Sequence, residues 1–370
     1  MAQPTAVARP AVAPRAWRPA AVRRGARRLA GLSDRARPRP RCAASAEPVT
    51  GGADDGETFI IVGASGRVGT ALVAVCASAG IPHIPVRRDT DDGVFEGTAG
   101  PIFVATHASD LDAVVRRVPR ERHRDLVFLQ GGLLRDGWLE RRGLRRATQA
   151  ALYLAAGTGT DQGAMRDGGG ASVAHGPRAA DVVRLLALGG VACAAVDEKT
   201  FKKKALEKLL WASAFWVLCA AGSVETKKNP LTVGEVVDGS CVATKKRAER
   251  LLEELFDVAA SRRDFAFLRE NDATQNGARR AAVENALAYS RSIPSAVPDR
   301  EMARKEASFR NGWFLMGQET IKKRNRNRFF NAPGERASLH ADLLLLVGVD
   351  PAELAADAAQ THVRRRETSS

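Results

Sequence analysis

The sequence predicts an α/β protein: a Rossmann-type parallel sheet domain followed by an all-α C-terminal domain. Three observations lead there. An apolar run, Phe59-Ile60-Ile61-Val62, ends in Gly63, Gly66 and Gly69. Short apolar runs then alternate with helical patterns as far as Asp197, which implies a parallel sheet wound on both faces. After Asp197 only helical patterns follow, and no internal repeat is evident.

Phe59 to Val62 reads as the first strand, and the glycines as the turn into a first helix over Thr70 to Ala79. Glycine permits backbone angles closed to other residues. It also lets the main chain approach a pyrophosphate, whose charge settles at a helix N-terminus. Gly63, Gly66 and Gly69 are therefore candidate cofactor-binding residues, and Arg67 adds positive charge inside the turn. The plainer reading is a tight strand-to-helix turn that binds nothing. The second strand is Ile84-Pro85-Val86, followed by Arg87-Arg88-Asp89. An arginine at this strand end accommodates a ribose 2′-phosphate, and an acid there takes a 2′-hydroxyl. Arg87 and Arg88 come first, which favours NADP(H). Asp89 is the counter-signal, because it stands where the acid of an NAD site falls.

Pro101 to Thr106 reads as a buried third strand, Asp110 to Val118 as a helix, and Leu126 to Gln130 as a strand closed by Gly131-Gly132. Ala151 to Ala156 and Ala171 to Ala174 read as strands around a Gly-rich turn. Arg178 to Leu188 reads as a helix and Val191 to Val196 as a last strand. Helical patterns then cover Lys202 to Cys219, Ala243 to Ala260, Ala278 to Ala288, Glu301 to Lys323 and Leu339 to Val347. The division is a leader over 1–47, a linker over 48–57, a nucleotide domain over 58–197, a helical domain over 198–360 and a basic tail over 361–370.

Composition bounds the function. Of the formal charge of +15, +9 sits in residues 1–47, which hold eleven Arg, no Lys and only Asp34 and Glu47 as acids. This segment lacks the apolar stretch of a secretory signal and resembles an organellar transit peptide. Arg41-Cys42-Ala43-Ala44 resembles a plastid processing site, so a plastid is expected and a mitochondrion is the alternative. A disordered basic tail is the bland reading. Lys202-Lys203-Lys204 and Lys322 to Arg328 read as solvated helix faces. Aromatic residues do not interleave with them as a nucleic-acid surface requires, so no nucleic-acid partner is expected. Five cysteines and six histidines show neither paired nor metal-ligand spacing, and neither a disulfide framework nor a metal site is expected. No apolar run reaches the ~20 residues of a membrane span, and Leu209 to Ala221 reads as a buried helix. The apolar helical half permits a homodimer without requiring one.

Hydride delivery to a ketone needs a proton donor at the developing alkoxide and polar groups that hold an acidic substrate. Lys208, in Leu206-Glu207-Lys208-Leu209-Leu210-Trp211-Ala212-Ser213, lies among apolar neighbours. Burial lowers a lysine pKa and makes it a usable acid, although spacing alone favours a snorkelling surface lysine. A second stretch is Pro294-Ser295-Ala296-Val297, followed by Glu306-Ala307-Ser308-Phe309-Arg310-Asn311-Gly312.

This order of elements resembles the ketopantoate reductases, NADPH-dependent 2-keto acid reductases whose C-terminal domain is 6-phosphogluconate dehydrogenase-like. That family has a helical Lys-Leu motif after the nucleotide domain, then a Pro-Ser or Ser-Ser segment, then a Glu followed five residues later by Asn-Gly. The resemblance spans roughly residues 58–350. It implies Lys208 as the general acid at the carbonyl oxygen and Glu306 as a substrate hydrogen-bonding residue that positions Lys208. It implies Ser295 against the substrate carboxylate, Asn311 as a further substrate residue, and NADP(H) held by Gly66, Gly69 and Arg87 or Arg88. The substrate it implies is a small carbonyl compound.

The chain departs from the family pattern at four places. Ala64 stands at the usual first glycine, with Gly63 one residue earlier. His107 stands at a lysine after the third strand, Gly131 at an asparagine after Gln130, and Ala212 at an asparagine after Lys208. His107 either replaces the lysine as a substrate-side donor or caps the helix that follows. The leading expectation is an NADPH-dependent reductase of a small 2-keto acid or related carbonyl. The alternative is a non-catalytic NADP-binding regulatory or assembly protein on the same fold. An atypical short-chain reductase or epimerase is the least favoured, because neither Tyr153 nor Tyr289 is followed four residues later by lysine.

Overall fold

The structure, a computed structural model, describes residues 57–131, 138–156, 163–227, 230–239, 245–269, 272–316 and 338–363. The leader (1–47), all of the linker but Glu57, Cys42, Cys241 and the run Lys322 to Arg328 lie outside the described residues. All described elements belong to one unit that begins at Asp54.

Strands β1 (Phe59–Val62), β2 (His83–Val86), β3 (Ile102–Val104), β4 (Leu126–Phe128) and β5 (Thr148–Ala151) form the parallel part of a seven-stranded sheet with β8 (Ser172–His175) and β9 (Cys193–Ala195). The spatial order is β2-β1-β3-β4-β5-β8-β9. Side chains alternate across the sheet, and here both faces are apolar. Ile60, Val62, Ile102, Val104, Leu126 and Phe128 enter one core. Phe59, Ile61, Phe103 and Val127 enter the other. Such strands read as unbroken apolar runs because helices cover both faces. Helix α1 (Arg67–Ser78) and α4 (Ala179–Leu188) cover the second core through Leu72, Val75, Leu185 and Leu186. Helix α2 (Leu111–Arg117) and the short α3 (Trp138–Arg141) cover the first through Leu111, Val115 and Trp138.

One junction departs from the all-parallel expectation: β5 and β8 are antiparallel. A parallel connection needs a crossover of a dozen or more residues, usually helical. Here the connection is a hairpin, β6 (Leu154–Ala156) with β7 (Met165–Asp167), so the chain returns the other way. Helix α4 then supplies a crossover, and β9 is parallel to β8. At the N-terminal edge of the sheet, Arg122 bonds Asp125 at 2.8 Å and Arg178 bonds both Asp125 (2.7 Å) and Glu57 (2.8 Å). This buried charge network ties the starts of the strands together, far along the strands from the glycine turn.

The helical half is built on α5 (Glu198–Thr226), capped by Asp197, whose carboxylate accepts from the Thr200 amide at 3.0 Å. By length and composition α5 is apolar enough to cross a membrane. In the structure it is the central core helix, as expected for Leu209 to Ala221, with Leu209, Leu210, Phe215, Val217 and Leu218 buried. Around it lie α6 (Val233–Val237), α7 (Lys245–Ser261), α8 (Asp272–Ser292), α9 (Arg300–Lys305), α10 (residues 311–316), α11 (Leu339–Leu346) and α12 (Pro351–Val363). Two expectations are corrected. Helix α12 continues through residues 361–363, where a tail was expected. The single helix expected from Glu301 breaks at Glu306 (φ −102°, ψ 3°), passes through a 3-10 turn at Ala307–Phe309 and resumes after Arg310 (φ −109°, ψ −82°). The break lets Phe309 reach the sheet core while Ala307, Trp313 and Phe314 stay in the helical core. A continuous helix would put Phe309 and Trp313, four residues apart, on one face.

Candidate active site

Strands β1 to β5 run parallel, so their C-terminal ends share one edge of the sheet. The order reverses at β1, between β2 and β3. Ligands of open α/β sheets bind outside the C-terminal ends at such a switch point. Gly63 to Gly66 follow β1, Arg87 and Arg88 follow β2, His107 follows β3, Gln130-Gly131 follow β4 and Leu152-Tyr153 follow β5. The candidate residues are thus delivered to one edge by topology.

The glycine turn has the geometry its spacing predicts. Gly63 has φ +85°, a conformation other residues adopt at a cost. A Cβ on Gly69 would lie 2.1 Å from the Gly63 carbonyl oxygen, so this glycine brings α1 against its own strand. Gly66 precedes the first helical residue with no side-chain cap, and the first turn of α1 holds no acid. The amides of Gly63 and Ala64 donate to the Val86 carbonyl and that of Gly66 to the Gly63 carbonyl, so the amides open to a ligand are those of the first turn of α1, beside Arg67. Unpaired amides and a positive helix end suit a pyrophosphate, and the turn fits the dinucleotide expected of it. Arg67 lies 3.7 Å from Asp299, the N-cap of α9. The loop that carries Ser295 thus ends against the turn, and Ser295 itself is exposed. Arg87 and Arg88 are exposed after β2, and the Arg87 carbonyl accepts from Arg117 at 3.4 Å.

Lys208 is on α5 and reaches back to the sheet. Its ammonium donates to the Leu152 carbonyl and lies 5.6 Å from the centre of the Tyr153 ring. The residue is half-buried, and its ammonium is held against the end of β5. Its pKa falls to about 8: burial is the main cause, Arg310 lowers it further, and Glu306 partly offsets both. Tyr153 is pushed the other way, upward, by burial and by the charge of Glu207, so its phenol keeps its proton. Glu306, at the helix break, has its Oε1 3.7 Å from Nδ1 of His107. His107 occupies the N-cap of the turn Ala108–Asp110 without a side-chain cap bond, so of its two expected roles the capping one is not used. Arg310 pairs with Glu306 and was not anticipated. The usable signals were a charged residue four after Glu306 and a glycine at 131.

Among solved structures, the chain is similar to a PanE/ApbA family ketopantoate reductase from Ralstonia eutropha JMP134, with 18% identity, 79% of this chain and 98% of that chain covered, and a TM-score of 0.51. The chain has the ketopantoate reductase fold. A D-mandelate dehydrogenase in ternary complex with NADH and anilino(oxo)acetate also matches, with 12% identity, 83% and 100% coverage and a TM-score of 0.49. No family model matches the sequence, and a search of the curated proteins finds no match.

Within this ketopantoate reductase fold, Glu306 lies 3.7 Å from His107 and its charge reaches Lys208, whereas Asn311 stands apart. Asn311 is fully buried. Its carbonyl accepts from the Trp216 indole at 2.8 Å, and its amide donates to the Ser213 carbonyl at 3.0 Å and to Nε2 of His340 at 2.8 Å. The expected substrate role of Asn311 is corrected: its hydrogen bonds are spent pinning α10 to α5 and α11. The spacing from Glu306 could not reveal this, because the partners of Asn311, namely Ser213, Trp216 and His340, come from distant segments.

His340 carries a pH dependence. It accepts from Asn311, so it is neutral, and burial drops its pKa to about 3. The unfolded chain takes up this proton below about pH 6.5, whereas the folded chain resists it. The stability it confers is complete above that pH and is lost as pH falls toward 3. Urea unfolding should lose about 2 kcal/mol between pH 7 and pH 5 through this group. His340→Gln, which keeps an acceptor for Asn311, should show a correspondingly flatter profile; an identical profile would remove His340 as the cause.

Proposed function

We propose that this chain is an NADPH-dependent reductase of a small 2-keto acid or related carbonyl. One observation carries the reading: the Lys208 ammonium is held by the Leu152 carbonyl at the C-terminal edge of the sheet, where the charge of Glu306, itself 3.7 Å from His107, reaches it. The fold and the open glycine turn support it. Bound NADPH supplies the hydride. As the carbonyl carbon accepts it, Lys208 releases a proton to the carbonyl oxygen, so the 2-keto acid leaves as a 2-hydroxy acid. Glu306 holds the ammonium charged and in place, and a pKa near neutrality suits a group that must give up a proton there. The test is NADPH consumption by the full chain with ketopantoate and a panel of other 2-keto acids. Consumption with none of them would reject the reading.

The cofactor preference rests on Arg87 and Arg88. We expect replacement of both by alanine to weaken NADPH binding about tenfold or more and to leave NADH binding within twofold. Equal weakening of both cofactors would assign the 2′-phosphate elsewhere. The second reading, a non-catalytic NADP-binding regulatory or assembly protein, is favoured by Ala212, which offers no polar group one turn after Lys208. NADPH binding without consumption of any acid would select it. The composition of residues 1–47 supports a plastid setting for either reading.

A further inference from the structure

We propose that Arg310 binds the carboxylate of the substrate, and that Gly131 is a glycine because the guanidinium needs its space. The inference rests on the reductase reading and adds to it the class of substrate and a residue that selects it. A Cβ on Gly131 would lie 3.0 Å from Nη2 of Arg310. A Cβ alone would press on the guanidinium and need it to give by a few tenths of an ångström, and a side chain as large as asparagine would compete with it for that space. The chain has exchanged a polar group at the end of β4 for a cation delivered from the helical half.

Three further observations fit a ligand on this cation. Arg310 stands between the 3-10 turn and α10, and its guanidinium lies at the end of β4 rather than in the helical core. Among the described residues its side-chain partner is Glu306, and its Nε is enclosed with no hydrogen-bond partner. Enclosed donors left without acceptors call for a partner. Its charge also reaches Lys208, so the guanidinium and the proton donor serve the same space. A planar guanidinium matches a carboxylate in a two-pronged geometry. A 2-keto acid places its carboxylate one bond from the carbonyl that Lys208 protonates. Arg310 and Lys208 together outweigh Glu306, which leaves the space positive and suited to an anion.

The test uses oxamate, an unreactive mimic of a 2-keto acid, titrated calorimetrically into the full chain with NADPH present. Oxamate binding should weaken about 10- to 100-fold in Arg310→Met and by a similar factor in Gly131→Asn, with Arg310→Lys between these and the parent. NADPH affinity and melting temperature should stay at the parental values. For an acid that is turned over, KM should rise by the same factor and kcat should change only a few-fold. Equal oxamate binding by parent and variants, or none by the parent, would overturn the proposal. If Arg310→Met fails to fold, Gly131→Asn decides alone, because it leaves Arg310 in the chain. Oxamate binding that depends on Arg310 without consumption of any acid would reject the reductase reading and keep the anion site. Turnover with an unchanged KM in both variants would do the reverse.

Discussion

Lys208→Ala should lose at least about a hundredfold in kcat for the accepted carbonyl, since general acid catalysis contributes ~10²–10⁴, while NADPH affinity stays within twofold. The expectation follows from where the ammonium sits: tied to the Leu152 carbonyl, over Tyr153. The protonated form is the active one. With a pKa of about 8, kcat/KM should be level at lower pH and fall tenfold per unit above it. A second consequence separates this lysine from a structural one. Its folded-state pKa is lowered, so the buried charge costs stability throughout the range below about 8, and the cost fades as pH rises toward 10.5. In Lys208→Met, removing the charge relieves up to about 3 kcal/mol against about 1 kcal/mol for the lost hydrogen bond. The variant should therefore melt no lower than the parent at neutral pH, and its advantage should vanish in alkali. An inactive but undiminished variant marks a group kept for chemistry. Retained turnover in Lys208→Ala would move the proton donor to His107, the other titratable group beside Glu306.

Gly69→Ala should cost about 3 kcal/mol or more, the penalty of forcing an atom into a closed contact, and should abolish NADPH binding with it. Its Cβ would meet the Gly63 carbonyl oxygen at 2.1 Å and the Gly63 carbonyl carbon at 2.7 Å. Both are backbone atoms of the turn and have no rotamer to escape by. Gly66→Ala is the matched control. A Cβ there meets the Gly63 oxygen at 3.3 Å, which the turn can absorb, but it stands on the open face that a pyrophosphate would approach. That variant should keep its melting temperature and lose NADPH affinity. The pair thus divides the glycines by function: Gly69 for helix-to-strand packing, Gly66 for access to the main chain. Parental melting of Gly69→Ala would refute the packing role, and unchanged NADPH binding in Gly66→Ala would refute the other.

Much of the sheet half was legible because its strands are short and coated on both faces. Ile60, Phe103 and Val127 are apolar whichever way they point, so a run of such residues announces a central strand without reference to its neighbours. The helical half was legible for the same reason, since the face of α7 that carries Leu251, Leu252 and Leu255 repeats at the helical period. What escaped were changes of direction. The hairpin of β6 and β7 replaces a crossover and turns β8 antiparallel; Leu154-Ala155-Ala156 reads like any other strand, and Met165-Arg166-Asp167 carries no strand pattern. The break at Glu306 interrupts a pattern that is helical on both sides, because Phe309 is claimed by a different core from Trp313, which would share its face in an unbroken helix.

The sequence by itself determined that a dinucleotide turn exists and that a helical half follows it. It also marked Lys208 and Glu306 as worth watching. All of this is carried by local spacing, which dictates which backbone angles and which faces are available. Only the tertiary structure decided that the Lys208 ammonium meets the Leu152 carbonyl, that Asn311 belongs to the core, and that the Arg310 guanidinium lies against Gly131. Burial, and with it a pKa or an unfilled hydrogen bond, is a property of atoms brought together from distant segments, and the packing of the two halves alone sets those distances.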